Sequence, residues 1–252
     1  MREPENIRAI ENTGADWIGF IYYERSPRFV ADTPAYLPRH AKRVGVFVNA
    51  GFDTITARAE ALRLDYVQLH GTESPKLCLE LRCHGFHLIK AFAPRTPADL
   101  EQTIPYLPLC DYLLFDTPSA GHGGSGKAFD WSLLRFYLGD VPFLLSGGIC
   151  PESLEALRRF HHPQWAGIDL NSGFETAPGI KDAEKLKKFI ERINNVSMNN
   201  VTMNNVTMNN EQCDNEQCDN EQCDNEQCDN EQCDNEQCGN ERMNYHIDIL
   251  SH

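Results

Sequence analysis

Seven short apolar runs alternate with helix-like stretches along residues 1–193, and this alternation limits the possible folds more than any other feature of the chain. The runs are continuously apolar, which is typical of parallel strands buried on both faces. Such a repeat predicts a parallel α/β sheet, either open and doubly wound or closed as a (β/α)8 barrel. The predicted strands span residues 16–22, 43–49, 65–70, 86–92, 111–116, 141–146 and 165–171.

The placement of glycines distinguishes these two architectures. A doubly wound dinucleotide-binding sheet would carry G-x-G-x-x-G after its first strand, and no such motif follows residues 16–22. Glycines suited to phosphate follow the last two predicted strands instead, where barrels commonly bind phosphate. We therefore predict a TIM (β/α)8 barrel. The chain opens on a helix-like segment, EPENIRAIENTG, so this barrel is expected to lack its first strand.

A five-residue repeat fills residues 194–243, and residues 244–252 form a short C-terminal tail. The repeat has few residues that could build a core, so we predict a disordered segment following a barrel domain over residues 1–193. Expansion of a tandem repeat in the coding DNA is the favoured explanation. Two alternatives are metal binding by the six C-x4-C cysteines, although zinc sites usually pair cysteines two to four apart, and glycosylation of the N-V-S/T triplets, which would need secretion.

The charge distribution limits the classes of partner. Residues 1–193 carry 22 Lys and Arg against 24 Asp and Glu, whereas the remainder carries 13 acidic residues and one Arg. A nearly neutral domain argues against a nucleic-acid-binding protein. No apolar run has the roughly 20 residues needed to span a bilayer, and the N-terminus lacks a signal-peptide pattern. We predict a cytoplasmic protein with no nucleic-acid or membrane partner.

Two carboxylates end predicted strands. Asp116 closes LLFD and is followed by the glycine-rich segment GHGGSGK, residues 121–127, which includes Gly124; Asp169 ends GID. A carboxyl group at an apolar strand end suits a general acid, although Asp116 alone could equally cap the following loop. The glycine-rich segment lacks the Walker A order and is expected to cover a small substrate.

Glycines after the last two strands could present backbone N–H groups to an anion. Gly147 and Gly148 lie in SGG, and Ser172 and Gly173 lie in NSG. The alternative is that these glycines only form tight turns. Arg28, in RSPRFV, could bind a carboxylate at the same end of the sheet, or it could be an ordinary surface arginine.

His70 ends the third predicted strand and is either a substrate contact or a structural group. Cys110 precedes a strand, so it lies at the opposite end of the barrel and is expected to be inert. Cys150 is close to the phosphate glycines but is interpreted as a residue at the start of a helix.

These segments together resemble the phosphoribosylanthranilate isomerase family of the tryptophan pathway over Met1 to about Ile193. The resemblance is carried by GADWIGFIYYERSPRFV, VGVFVN, VQLHG, FDTPSAGHGGSGKAFDW, LLSGGI and GIDLNSGFE. It implies a cofactor-free Amadori rearrangement of N-(5-phosphoribosyl)anthranilate, with no metal, in a monomer or weak homodimer. By this resemblance Asp116 is the general acid and Arg28 holds the anthranilate carboxylate.

The resemblance also implies the remaining roles. The SGG and NSG glycines with Ser172 bind phosphate, and Asp169 is an acidic residue near the substrate that we count with Asp116 as catalytic. We add His70 and Gly124 as substrate contacts. The family's general base is a cysteine at the end of its first strand, in a segment like (V/I)-C-G-M-R, and this chain begins at what resembles M-R. We interpret this as a misplaced start codon or a truncated gene, and expect little activity from the chain as written.

Two other functions stay open at this point. Another phosphate-binding barrel, such as indole-glycerol-phosphate synthase, would need catalytic Lys and Glu residues at strand ends, and Lys90 is the only lysine so placed. A non-catalytic remnant whose acidic tail mediates interactions is the other alternative. Deleting residues 194–252 should leave the kinetics of an enzyme unchanged but remove the partner of an interaction module.

Overall fold

The computed structural model describes residues 1–116, 130–194 and the backbone of 244–247. Its main sheet is parallel, and all seven strands predicted from the sequence are present. The predicted barrel fold is therefore confirmed. The strands are β1 (Trp17–Ile21), β2 (Lys42–Phe47), β3 (Tyr66–Leu69), β4 (Leu88–Phe92), β5 (Tyr112–Phe115), β6 (Phe143–Leu145), β7 (Trp165–Asp169), the short hairpin strands β8 (Glu175–Ala177) and β9 (Ile180–Lys181), and β10 (Asn244–Ile247).

The barrel is closed by a strand from the C-terminal part of the chain. β10 pairs in parallel with β1, where Trp17 is level with His246, and with β7, where Asp169 is level with the same residue. The strand order around the barrel is β1, β2, β3, β4, β5, β6, β7, β10 and back to β1. In the barrel that was expected to lack its first strand, residues 244–247 of the predicted tail therefore take the vacant position, because an unpaired strand edge binds available backbone.

Helical segments connect most of the barrel strands. The α-helices are α1 (Pro4–Glu11), α2 (Phe52–Leu62), α3 (Pro75–Cys83), α4 (Leu154–Arg159) and α5 (residues 183–194). Helix α3 begins as predicted, because the Ser74 hydroxyl accepts a hydrogen bond from the backbone N–H of Leu77 and Pro75 occupies the first turn. The segments Pro97–Tyr106, Trp131–Phe136 and Pro151–Ser153 are 3₁₀ helices.

The core fills the barrel and the layer between sheet and helices. Every residue of β1 is buried, and Ile55 of α2, Leu81 of α3 and Phe189 of α5 pack against the sheet. At the amino ends of alternate strands, Trp17 stacks on Tyr66 with ring centroids 4.6 Å apart, and the edge of Tyr112 meets Trp17 at 5.0 Å. Layers drawn from alternate strands are typical of this barrel, so the interior is packed and chemistry is confined to one end.

The N-terminus lies beside β1. Met1 is fully buried, and its amino group donates a hydrogen bond to the carbonyl of Gly19 at 2.5 Å. Helix α1 then leads away from this point, and Glu11 near its end accepts backbone N–H groups of the loop before β2. No helix in residues 1–116 or 130–194 is long and apolar enough to cross a membrane.

Candidate active site

Polar side chains from four elements meet at the carboxyl end of the barrel. His70 follows β3, Asp116 follows β5, Ser146 follows β6, and Asp169 is the last residue of β7. Because all these strands are parallel, their carboxyl ends share one face of the barrel, which is where TIM barrels hold their active sites. The predicted residues Asp116, Asp169 and His70 are therefore brought together.

Asp116 is fixed by the strand on either side of it. Its backbone N–H donates to the carbonyl of Phe92 at 2.9 Å, and the N–H of Ser146 donates to Phe115 at 2.8 Å. The ladder thus continues one residue past β5 and holds the Asp116 backbone rigidly. The Asp116 side chain keeps 15% exposure and lies 3.3 Å from Nε2 of His70. Gly124 and the rest of the glycine-rich segment lie outside the described residues.

His70 is held from two sides. Its backbone N–H donates to the carbonyl of Phe47 at 2.8 Å, and its ring lies between Asp116 and Gln68. Nδ1 of His70 is 3.0 Å from Nε2 of Gln68. The histidine therefore belongs to a polar line that runs from the barrel interior to Asp116.

Asp169 is almost fully buried and accepts a hydrogen bond from the hydroxyl of Ser146, with 2.7 Å between Oδ2 and Oγ. Since β6 lies between β5 and β7, Ser146 separates the two strand-end carboxylates. A buried carboxylate needs such donors to stay charged. Asp116 is therefore partly exposed at the surface of the site, and Asp169 is buried beneath it.

The two predicted phosphate loops touch each other. Gly147 and Gly148 have φ angles of +83° and +68°, a conformation that favours glycine. A Cβ at Gly173 would lie 2.4 Å from the carbonyl oxygen of Ile149, whereas one at Gly148 would meet nothing within 4 Å. Gly173 is thus required for the contact between loops, and Gly148 borders open space. Exposed Ser172 precedes Gly173, so the structure brings the two glycine-containing turns together at the carboxyl end of the barrel.

Arg28 lies at this end of the barrel, but Glu175 holds part of its guanidinium. Nε of Arg28 is 3.0 Å from both carboxylate oxygens of Glu175, and Nη2 is 2.7 Å from Oε2. The alternative that Arg28 is an ordinary surface arginine is wrong, because the residue is only 7% exposed. A guanidinium has five N–H donors, so binding Glu175 is compatible with binding a second carboxylate.

Lys181 completes a buried charged triad with Arg28 and Glu175. Its Nζ is 3.4 Å from Oε1 of Glu175 and 3.2 Å from the carbonyl of Leu170. Burial by itself would raise the pKa of Glu175, but the Arg28 hydrogen bonds and the Lys181 charge outweigh it and lower that pKa. Two cations around one carboxylate leave the triad with a net positive charge, which suits an anionic substrate.

Replacing Arg28 by methionine should lower the free energy of unfolding by about 3 kcal/mol at pH 7, because a buried carboxylate loses its main partner. The loss should shrink as the pH falls toward about 4, the ordinary range of a glutamate. In the variant, burial favours protonated Glu175, which removes the buried charge. In the parent, the lowered pKa keeps the stabilisation of this pair until the pH falls through that lower value. Urea unfolding at both pH values measures this.

The control is Arg25→Met, at an exposed arginine of the same loop, which should change stability by less than about 0.5 kcal/mol at both pH values. An equal effect of the two substitutions, or a cost for Arg28→Met that grows in acid, would contradict the assignment of Arg28 and Glu175 as a buried pair.

Sequence reasoning missed the partners of the predicted residues. Glu175, Ser146 and Gln68 each stood inside a quoted motif, in NSGFE, LLSGG and VQLHG, without a role. Glu175 could have been noticed as a carboxylate two residues after the phosphate glycine. Lys181 had no local signal, because its contacts depend on how the β8–β9 hairpin folds back.

The remaining reactive side chains that the sequence singles out have structural roles. Cys110 is buried just before β5, and its hydrogen bond with Cys78, together with burial, raises the pKa of the Cys110 thiol, as expected for an inert residue. Cys150 is the N-cap residue of the 3₁₀ helix Pro151–Ser153, which confirms its interpretation as a residue at a helix start. Lys90 is buried, with Nζ 3.2 Å from Glu73 and bonded to three backbone carbonyls.

Comparisons with known proteins show what the chain is similar to. A family model described as N-(5'-phosphoribosyl)anthranilate isomerase matches residues 1–192. Proteins of that name from Parabacteroides distasonis and Phocaeicola vulgatus are 54% and 51% identical, over 77% of this chain and 90% and 94% of their own lengths. A crystal structure of a phosphoribosylanthranilate isomerase in complex with reduced 1-(o-carboxyphenylamino)-1-deoxyribulose 5-phosphate superposes with a TM-score of 0.62 at 30% identity, covering 77% of this chain and 98% of that one.

Proposed function

The chain belongs to the N-(5'-phosphoribosyl)anthranilate isomerase family of tryptophan biosynthesis, and we propose which of its residues carry the reaction. The substrate is N-(5-phosphoribosyl)anthranilate, and the product is 1-(2-carboxyphenylamino)-1-deoxyribulose 5-phosphate. In the proposed first step Asp116 protonates the ribose ring oxygen, so that the C1–O bond breaks and the ring opens to an imine. A base then removes the C2 proton, and the resulting enol-amine tautomerises to the ketone.

The observation that carries this proposal is the closeness of Asp116 to the phosphate loops. Ser146 hydrogen-bonds through its backbone to the residue before Asp116, and Gly147 and Gly148 follow directly. A phosphate on these glycines therefore places the attached sugar over the neighbouring strand end, where Asp116 lies. Anchoring a remote phosphate orients the sugar and contributes to catalysis without touching the reacting atoms.

The other predicted residues complete the proposed site. Ser172 and Gly173 bind the phosphate together with the SGG loop, and Arg28 holds the anthranilate carboxylate while Glu175 fixes its orientation. Asp169 accepts the hydroxyl of Ser146 and thereby holds Ser146 in place at the base of the site. His70 lies against Asp116 and contacts the sugar, and we keep Gly124 as a substrate contact.

The turnover rate of the 252-residue chain depends on whether it holds a general base. The four cysteines of the described part of the chain lie in α3, before β5 and after β6, and none of them directly follows the carboxyl end of a barrel strand. We expect slow turnover, and we expect it to rise about 100-fold when a strand-length segment ending in Ile-Cys-Gly is joined ahead of Met1, because general bases contribute about 10²–10⁴. The Met1 amino group donates to the carbonyl of Gly19 in β1, so such a segment would pair with β1 in the position that residues 244–247 occupy in this structure.

The fall in substrate fluorescence measures this turnover. The matched control carries Ile-Ser-Gly in the same extension and should remain as slow as the printed chain. Equal rates for the printed chain and the cysteine extension would contradict the need for a base at this position, and absence of turnover in all three would contradict the proposed function.

The contacts of Lys90 argue against the alternative function, indole-glycerol-phosphate synthase. That lysine donates to the carbonyls of Leu69, Gly71 and Ala91 and pairs with buried Glu73, so it is saturated with structural partners and only 2% exposed. A catalytic lysine must reach substrate.

We also propose a cytoplasmic protein that is a monomer or a weak homodimer. The four described cysteines are free thiols, which is usual in a reducing compartment. Exposed large apolar residues are few in the described chain: Leu79, Ile104, Phe136 and Leu138. A small scatter of this kind is normal for monomers. Light scattering during size-exclusion chromatography tests the oligomeric state.

A further inference from the structure

Three side chains form a continuous hydrogen-bonded line from the barrel interior to the general acid. Gln68 is completely buried in β3; its Nε2 is 3.0 Å from Nδ1 of His70. Nε2 of His70 is 3.3 Å from Oδ2 of Asp116. We propose that Gln68 is a positioning residue of the isomerase. Its amide sets the tautomer of His70, and that tautomer determines whether Asp116 is held as a carboxylate or as a protonated acid. This inference rests on the proposed role of Asp116.

The donor chemistry of glutamine fixes the tautomer. An amide nitrogen only donates, so Nδ1 of His70 must accept, and the single proton of the neutral ring lies on Nε2. That N–H points at Oδ2 and donates to the Asp116 carboxylate. In this state the site stabilises Asp116 in its ionised form, which is the form left after it has given its proton to the substrate.

The amide has a second orientation with the opposite result. Oε1 of Gln68 is buried and has no hydrogen-bond partner among the described residues. Rotating the amide by about 180° turns Oε1 toward Nδ1, which must then carry the proton. Nε2 of His70 becomes an acceptor, and it can hold the O–H of a protonated Asp116.

The two states differ by one proton, taken up from solvent. In the first, His70 is neutral with hydrogen on Nε2 and Asp116 is a carboxylate. In the second, His70 is neutral with hydrogen on Nδ1 and Asp116 is an acid ready to donate. Either orientation leaves one amide atom of Gln68 without a hydrogen-bond partner, so the amide can turn from one orientation to the other, and its orientation at each stage sets the tautomer of His70 and the form in which Asp116 is held.

A buried ion pair lies beside the backbone of His70. It is formed by Lys90 of β4 and Glu73 of the loop after β3, whose side chains are 3.2 Å apart. Lys90 donates to the carbonyls of Leu69 and Gly71, on either side of His70. This pair fixes the His70 backbone and adds no net charge.

Nitrogen NMR of the histidine-labelled full chain tests the proposal without needing turnover. At neutral pH and without substrate, His70 should carry its proton on Nε2. Gln68→Glu can only accept from Nδ1, so the proton should appear on Nδ1. Gln68→Met, of similar size, should give a mixture of tautomers. Gln102→Met, at an exposed glutamine, should leave the His70 signals unchanged.

Kinetics supply the second measurement. Gln68→Met should lower kcat about 10-fold with KM within about twofold, because Gln68 acts through His70 and makes no substrate contact. A wild-type His70 protonated on Nδ1, or the same tautomer in the parent and in Gln68→Glu, overturns the proposal, as does an unchanged kcat in Gln68→Met. If the tautomers shift as expected but Asp116→Asn leaves turnover intact, the role of Asp116 fails while the control of His70 by Gln68 stands.

Discussion

Asp116→Asn should reduce kcat about 1,000-fold while KM stays within about twofold. Asparagine keeps the size of the side chain and can still hydrogen-bond to His70, but it cannot deliver a proton to the ribose ring oxygen. Positioned general acids contribute about 10²–10⁴ to a rate, and ring opening exposes a poor leaving group that needs this proton. Phosphate and carboxylate binding depend on other residues, so the affinity for substrate should survive.

The measurement is the steady-state loss of substrate fluorescence at several substrate concentrations, with each variant compared to its own parent. Asp111→Asn is the matched control, because Asp111 precedes the same strand at the opposite end of the barrel, where it accepts the backbone N–H of Leu88 at 2.7 Å. It should lower stability slightly and leave kcat unchanged. A kcat for Asp116→Asn above one tenth of the parental value would rule out Asp116 as the acid.

The seven internal strands could be predicted because their signal is local. Each is a continuous apolar run, and burial on both faces demands that pattern wherever the strand lies in the barrel. The carboxyl-end placement of Asp116 and Asp169 followed from the same logic, since parallel strands share one direction. Strand position along the sequence was therefore enough to bring His70, Asp116 and Asp169 to one face.

Contacts between distant segments could not be predicted in the same way. Arg28 and Glu175 are separated by 147 positions, and nothing near either residue indicates the other. Sequence reasoning assigned Arg28 to a substrate carboxylate alone, whereas a carboxylate of the protein shares its guanidinium. The orientation of Gln68 was equally hidden, because a glutamine in an apolar run gives no sign of what it faces.

The closing strand is the clearest case of a long-range effect. Tyr245, His246 and Ile247 form too short a run after a long repeat to be recognised as a strand from sequence. Their pairing is decided by two partners, β1 and β7, because the edges of these strands that face β10 meet no other strand in the described chain. A backbone segment of any suitable sequence gains hydrogen bonds at these two edges, so the pairing of residues 244–247 is determined by β1 and β7 rather than by the sequence of the segment.

Deleting residues 244–252 should lower the free energy of unfolding by about 5 kcal/mol and promote aggregation. β10 is in register with two residues of β1 and three of β7, and a net gain of about 1 kcal/mol for each hydrogen-bonded pair gives this value. That is a large fraction of the roughly 5–15 kcal/mol that stabilises a typical domain, and the exposed strand edges would template association. Urea unfolding and light scattering measure the two effects.

The matched control deletes residues 204–233, which shortens the repeat but keeps residues 244–252. The remaining connection of 19 residues after α5 can still extend to roughly 60 Å, so β10 should reach its position and stability should be unchanged. Equal unfolding of both deletions would contradict a structural role for β10.

A specific protease site placed in the repeat gives an independent test. After cleavage the C-terminal fragment should co-elute with the barrel. The substitution His246→Pro should release the fragment, because proline removes a backbone N–H donor from the strand pairing.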